Sequence, residues 1–166
     1  PVLALFAVYS VMVKELGRFS GKTLKPLEEH SAADAQTGAV GDIEVADTAT
    51  GGIFEALEIK HGIQLSEAIL TDVKKKIMSK SIDRYYILTT HSNCEPNEKL
   101  LPLIESLKAV YGCQVIANGV IPSLRYYLRM LVDPSEVFPV YVKLLVEDKA
   151  IAHEHREVWN KIATEI

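Results

Sequence analysis

The stretch that most constrains the fold of this chain runs from Gly41 to Lys60 and predicts a β-hairpin. In its first half, Ile43 and Val45 alternate with acidic residues, and its second half, residues 53–60, is rich in β-branched and aromatic side chains. Residues 47–52, Asp-Thr-Ala-Thr-Gly-Gly, are typical of a tight turn between them. Two antiparallel strands are therefore expected here.

The predicted hairpin brings three charged side chains together. If the turn centres on Thr50, the antiparallel register places Asp42 opposite Glu58, with their Cβ atoms about 5 Å apart. Lys60 follows Glu58 by two residues and therefore projects from the same face of the strand. Two carboxylates this close repel each other unless a proton or a cation lies between them. The pattern predicts a divalent-metal site with an ammonium group beside it.

Composition indicates one ordinary globular domain over residues 1–166, because 48% of the residues are apolar and 24% are charged. The net charge of −4 does not favour a polyanionic partner, so any nucleic-acid surface is expected to be local. Two cysteines, Cys94 and Cys113, form no disulfide framework, which favours a cytoplasmic location. The apolar run 2–13 is too short for a membrane span and predicts a buried helix. The first residue is Pro1, which suggests a piece excised from a longer protein.

Periodicity along the rest of the chain predicts further helices and strands. Helices are expected over residues 2–19, 67–80, 100–111, 123–131, 135–147 and 148–166, strands over 84–90 and 113–117, and a loop over 20–38. Ser66 is the expected N-cap of the 67–80 helix, which is predicted to bury the face that carries Val73. This order predicts an α/β or α+β sandwich with a mixed β-sheet whose middle strands are covered by helices.

The motif Gly41-Asp-Ile-Glu44 followed by Glu58-Ile-Lys60 resembles the PD-(D/E)xK nuclease superfamily, which has the restriction-endonuclease-like fold. Gly41 stands where that family has proline. The order of helix, hairpin, crossover helix and two further strands is also similar to the family over Val2 to Ala117. The wider sequence is most similar to bacterial type II restriction endonucleases associated with DNA cytosine methyltransferases. The resemblance implies a three-layer sandwich and a Mg²⁺-dependent DNA endonuclease.

The resemblance also implies roles for individual residues. Asp42 and Glu58 would bind Mg²⁺, for which Mn²⁺ can substitute, and the Ile59 carbonyl would be a third ligand. Lys60 would lie beside the attacking water and the scissile phosphate, in an electrostatic role that the neighbouring carboxylates favour. Glu15, near the end of the first helix, is an additional acidic candidate.

Partners follow from the same resemblance. The substrate would be double-stranded DNA, cutting of both strands implies a homodimer, and a cognate DNA methyltransferase is the expected functional partner. No membrane partner is expected. The candidate DNA contacts are Lys22, Lys25, Gln64, Arg125 and Arg129. Lys74, Lys75, Lys76 and Lys80 form another basic cluster, for which a solvated helix face is the simpler interpretation.

Three alternatives remain open from the sequence. The acidic and basic side chains can form surface ion pairs on a solvated sheet face, which contribute little to stability. The same fold can serve as a non-catalytic DNA-binding or assembly module, or as a hydrolase of a small phosphorylated molecule. Glu44 shares the Asp42 face and can support the site or be a surface charge. Glu55 faces the other way, where a structural role or exposure is expected.

Overall fold

The computed structural model describes residues 1–27, 38–148 and 153–165. Five strands form one sheet in the order β1-β2-β3-β4-β5. They are β1 (Lys22–Leu24), β2 (Ile43–Asp47), β3 (Ile53–Lys60), β4 (Ile82–Thr89) and β5 (Gln114–Gly119). Neighbours β1, β2 and β3 are antiparallel, whereas β3, β4 and β5 are parallel. The expected mixed sheet is confirmed.

Helices cover both faces of this sheet, so the chain has an α/β architecture. They are α1 (Val2–Glu15), α2 (Glu67–Ser79), α3 (Leu101–Tyr111), α4 (Val120–Met130), α5 (Val137–Glu147) and α6 (His153–Glu165). Apolar residues of α1, α4 and α5 form a core against one face, called here the α1 face. Residues of α2 and α3 form a second core against the other face, called here the α2 face. None of the helices in the described ranges combines the length and the apolarity needed to cross a membrane.

The turn between β2 and β3 forms because its residues satisfy the backbone locally. The Asp47 carboxylate accepts hydrogen bonds from the N–H groups of Ala49 and Thr50, each at 2.9 Å. Gly51 then adopts φ +71°, a left-handed conformation that side-chain-bearing residues rarely adopt. The sequence prediction of a hairpin with its turn at residues 47–52 is confirmed.

The register of the hairpin matches the prediction at its open end. Ile43 pairs with Leu57 and Glu44 pairs with Ala56, as expected for a turn centred on Thr50. Nearer the turn the register shifts, because Val45 pairs with Glu55 whereas Ala46 pairs with Ile53. Phe54 is therefore an extra residue in β3, which is the definition of a β-bulge.

Other expectations hold in outline and fail at element boundaries. Ser66 caps α2 through its Oγ, which accepts a hydrogen bond from the Ile69 N–H at 3.5 Å. Residues 85–89 of β4 are buried, as expected.

The 20–38 segment is not all loop: its beginning forms β1, while residues 28–37 lie outside the described residues. The first helix ends at Glu15 and a 3₁₀ turn (Gly17–Phe19) follows it. Helix α4 begins at residue 120, three residues earlier than predicted.

A buried carboxylate, Glu55 of β3, lies in the core on the α1 face. Its side chain has no exposed surface and forms salt bridges with Arg18 and Arg84, the latter at 3.4 Å. The hydroxyl groups of Tyr9 and Tyr86 donate hydrogen bonds to the same carboxylate at 3.3 and 3.5 Å. A buried charge is tolerated only when it is paired and hydrogen-bonded, so these contacts are what allow Glu55 to stand inside the core.

We expect Glu55→Ala to lower the free energy of unfolding by about 3 kcal/mol, because it removes the acceptor shared by two guanidinium groups and two buried hydroxyls. Urea unfolding followed by circular dichroism measures the change. Glu105→Ala, which removes an exposed glutamate of α3, is the matched control and should stay within about 0.5 kcal/mol of the parent protein. Equal stability of the two variants would contradict a structural role for the buried carboxylate.

Candidate functional site

Asp42, Glu58 and Lys60 meet on the α2 face at the open end of the hairpin. Because Ile43 pairs with Leu57, Asp42 and Glu58 are the next residues outward along their strands. Asp42 Oδ2 accepts a hydrogen bond from the Ile59 N–H at 2.6 Å, and Lys60 Nζ donates to Glu58 Oε1 at 2.6 Å. The structure thus brings together the three residues that the sequence pattern singled out.

The residue before Asp42 must be small because the chain passes close to β3. A Cβ atom added to Gly41 would lie 2.7 Å from the Leu57 carbonyl oxygen and 3.1 Å from its carbonyl carbon. These are backbone atoms, which cannot rotate away as a side chain can. Gly41 therefore lets Asp42 approach the Ile59 peptide at hydrogen-bonding distance.

Glu58 is surrounded by donors on both of its oxygens. Lys60 Nζ lies 2.6 Å from Oε1, and Lys76 Nζ, from α2, lies 2.7 Å from Oε2. The Tyr85 hydroxyl lies 2.9 Å from Oε2 and 2.6 Å from the Val40 carbonyl oxygen, and donates its single proton to one of them at a time. The Glu58 side chain is 13% exposed, so solvent reaches it only in part.

The electrostatics of the site keep Glu58 charged and Tyr85 protonated. Burial by itself would raise the pKa of Glu58, but the hydrogen bonds and charges of Lys60 and Lys76 outweigh it and hold that pKa below its ordinary value. Burial raises the pKa of the Tyr85 phenol, and the nearby Glu58 carboxylate raises it further. Desolvation likewise raises the pKa of Asp42, with a contribution from Glu58, although the Ile59 N–H opposes this shift.

Glu44 lies beside this group but has its own partners. Its side chain is buried, and Lys25 Nζ donates to its Oε2 at 2.6 Å. The Val40 N–H donates to the other oxygen. Glu44 therefore holds Lys25 and the chain before Asp42 in place, and the sequence alternative of a surface charge is wrong.

Two further residues of the site were not predicted as such, namely Lys76 and Tyr85. Lys76 was assigned to an exposed basic face, yet it is half-buried. Ile69, Val73 and Lys76 follow the spacing i, i+4, i+7 of one helix face, and this periodicity would have placed Lys76 toward the sheet. Tyr85 could have been found from the alternation of β4, which turns it to the same face as Glu58.

Several predicted site residues lie elsewhere. Glu15 ends α1 and accepts a hydrogen bond from the Val132 N–H at 2.9 Å, so the structure does not bring it to Asp42 and Glu58. Arg125 and Arg129 are exposed on α4, in the helix layer of the α1 face, and are therefore on the other side of the sheet.

The remaining predicted DNA contacts are distributed around the hairpin. Lys22 pairs with Asp47 near the turn, and its Nζ lies 5.0 Å from the centre of the Phe54 ring. Gln64 is exposed in the connection between β3 and α2. Only Lys25 is held next to the candidate site, through Glu44.

The donors present fit a hard divalent cation by their chemistry. Mg²⁺ is usually bound by one or two carboxylates, with water and substrate phosphate filling the other positions. Asp42 and Glu58 supply two such carboxylates, and the Ile59 carbonyl is a third oxygen next to them in the chain. Within residues 1–27, 38–148 and 153–165, no group of three or more Asp, Glu, His or Cys side chains is arranged to hold a metal.

We expect Gly41→Ala to destabilise the protein by about 1 to 3 kcal/mol, because the added methyl group would force β2 and β3 apart next to Asp42. Chemical denaturation gives the free energy of unfolding. Gly17→Ala is the matched control, since a Cβ atom there meets nothing within 4 Å. A Gly41→Ala protein as stable as the control would show that close packing against Leu57 is not required.

The lowered pKa of Glu58 predicts a pH-dependent contribution to stability. A carboxyl group whose pKa is lower in the folded protein stabilises it above the unfolded pKa of about 4.3, and this contribution is lost as the pH falls through the folded pKa. The stability advantage of the parent protein over Glu58→Gln should thus be constant between about pH 6 and 7 and shrink below about pH 4. Urea unfolding across this range tests it, and an advantage that grows on acidification would contradict it.

Comparison of the chain with protein-family models and with curated proteins finds no match, so the geometry of the site and the motif that predicted it carry the functional argument.

Proposed function

We propose that this chain is a Mg²⁺-dependent DNA endonuclease domain of the restriction-endonuclease-like type. The observation that carries the proposal is the convergence of Asp42, Glu58 and Lys60 at the open end of the hairpin. The five-stranded mixed sheet with helices on both faces is consistent with the three-layer sandwich of that fold. The motif resemblance adds support that is independent of side-chain geometry.

In the proposed mechanism Asp42 and Glu58 would hold the metal through their carboxylates. When bound, Mg²⁺ supplies a water of lowered pKa and neutralises charge on the phosphate. The Lys60 ammonium group, 2.6 Å from Glu58, would stabilise the negative charge that develops as a water oxygen bonds to phosphorus and the P–O bond to the sugar oxygen breaks; the attacking water releases a proton to solvent and the leaving oxygen takes one up. The Tyr85 hydroxyl lies 2.9 Å from the Glu58 oxygen that does not contact Lys60 and can donate its proton there in place of the Val40 carbonyl.

The proposed substrate is double-stranded DNA, bound by a local basic surface. The net charge of −4 requires the contact area to be local, and Lys25, Lys60 and Lys76 lie close to Asp42 and Glu58, through their contacts with Glu44 and Glu58. Cutting of both strands would need two such sites, so a homodimer belongs to this proposal. A cognate DNA methyltransferase as functional partner belongs to it because of the family resemblance.

A second candidate function is a non-catalytic DNA-binding or assembly module. One observation favours it: the Glu58 carboxylate pairs with two ammonium groups, those of Lys60 and Lys76. A module of this kind would need no divalent cation. It would bind DNA equally well with and without EDTA.

We expect Asp42→Asn, Glu58→Gln and Lys60→Met each to lower the rate of plasmid nicking by at least about a hundredfold, because each removes a metal ligand or the cation beside the phosphate. The assay follows conversion of supercoiled plasmid with Mg²⁺, with Mn²⁺ and with EDTA. Lys75→Met is the control, since Lys75 is exposed and pairs with Asp72 on the surface. Circular dichroism verifies that every variant is folded.

Three results would separate the alternatives. Nicking by Lys60→Met at the parental rate would reject the mechanism. DNA binding that is unchanged by EDTA, without nicking in either metal, would support the binding module. Discrete fragments from phage DNA would indicate a site-specific enzyme, and a smear would indicate a nonspecific one.

A further inference from the structure

Lys76 contacts Glu58 but belongs neither to the motif nor to the proposed hydrolysis step. It projects from α2 to Glu58 Oε2, while Lys60 of β3 occupies Oε1. With Asp42 included, two carboxylates lie close to two ammonium groups, so the formal charges of these four side chains cancel. A divalent cation that binds Glu58 must therefore compete with an ammonium group that is already there.

Lys76 is the ammonium group that can leave at the lower cost. Both lysines hold Nζ on a flexible four-carbon side chain, so the difference between them lies in the Glu58 oxygen that each one contacts. Lys76 reaches the site from a helix on a four-carbon side chain, which can turn without moving α2. The Tyr85 hydroxyl also lies 2.9 Å from Oε2, so its proton can turn from the Val40 carbonyl to that oxygen after Lys76 has left.

We propose that Lys76 is an internal counter-ion that competes with the divalent metal for Glu58 and moves to a DNA phosphate when substrate binds. This inference rests on the proposed nuclease function and concerns how that site is regulated. A phosphate that attracts Lys76 leaves Glu58 more negative, which favours the metal. By thermodynamic reciprocity the metal also favours DNA binding to the same extent. The site would thus load its metal efficiently only with DNA present.

The test measures Mn²⁺ binding directly by titration calorimetry, without DNA. Lys76→Met should bind Mn²⁺ at least about tenfold more tightly than the parent protein, within the range typical of coupled sites. Lys74→Met, which changes an exposed lysine of the same helix, should bind as the parent does. Adding Glu58→Gln to Lys76→Met should remove the gain, which assigns it to this carboxylate. If Lys76→Met does not fold, Lys76→Gln replaces it.

A second arm measures the coupling itself. It uses the Lys60→Met background, in which a short DNA duplex is expected to stay intact. The duplex should tighten Mn²⁺ binding about tenfold in Lys60→Met and less than about twofold in Lys60→Met/Lys76→Met. Loss of the effect in the double variant would support the exchange of Lys76 between carboxylate and phosphate.

The outcomes distinguish this inference from the proposed function. If the parent protein binds Mn²⁺ through Glu58 and Lys76→Met binds it no more tightly, the counter-ion role is overturned while the metal site stands. The same holds if DNA tightens Mn²⁺ binding equally with and without Lys76. If no protein binds Mn²⁺, with or without DNA, both the counter-ion role and the metal-dependent function are overturned.

Discussion

A strand in the middle of a sheet can carry a charged side chain only if the opposite charge comes with it. Strand β3 meets this condition on both of its faces. Glu55 points to the α1 face and is held by Arg18 and Arg84, whereas Glu58 points to the α2 face and is held by Lys60 and Lys76. Each carboxylate joins β3 to the cation of a neighbouring element, so the two helix layers are tied to the same strand by ionic contacts.

The ion clusters around Glu55 and Glu58 differ in their exposure to solvent and in the type of cation that each contains. Glu55 is completely buried, and its partners are guanidinium groups, which are planar and form directional contacts. Glu58 is 13% exposed, and its partners are ammonium groups on flexible side chains. The first arrangement suits a permanent structural contact. The second suits a group that exchanges one cation for another, which is the property that the proposed chemistry needs.

The hairpin was predictable because its information is local. Turn residues fix where the chain reverses, and alternation fixes which side chains share a face, so the approach of Asp42 to Glu58 follows from the sequence alone. Strand β1 was not predictable in this way. It has three residues, and what makes it a strand is its pairing with β2, in which Lys22 lies opposite Asp47. Such pairing depends on distant residues that no local pattern represents.

The errors at the site have a similar origin. Lys76 was expected in solvent because lysine is rarely buried, but the Glu58 carboxylate offers it a partner that only the folded sheet creates. Glu15 was expected at the site from the family resemblance, yet the Val132 N–H offers it a nearer partner. In both cases the position of a charged side chain is set by the group that it contacts, a carboxylate for Lys76 and a backbone N–H for Glu15. That group is set by tertiary structure.

The placement of Glu55 and Glu58 on opposite faces also bears on how the sheet assembles. If β3 were to slip by one residue against β2, every side chain would change face. Glu55 would then turn away from Arg18, and Glu58 would enter the apolar layer formed by α1 without Lys76 to meet it. A slipped alignment would thus separate Glu55 and Glu58 from the cations that the neighbouring elements supply, and the cost of burying a charge without those cations favours the native register of β3.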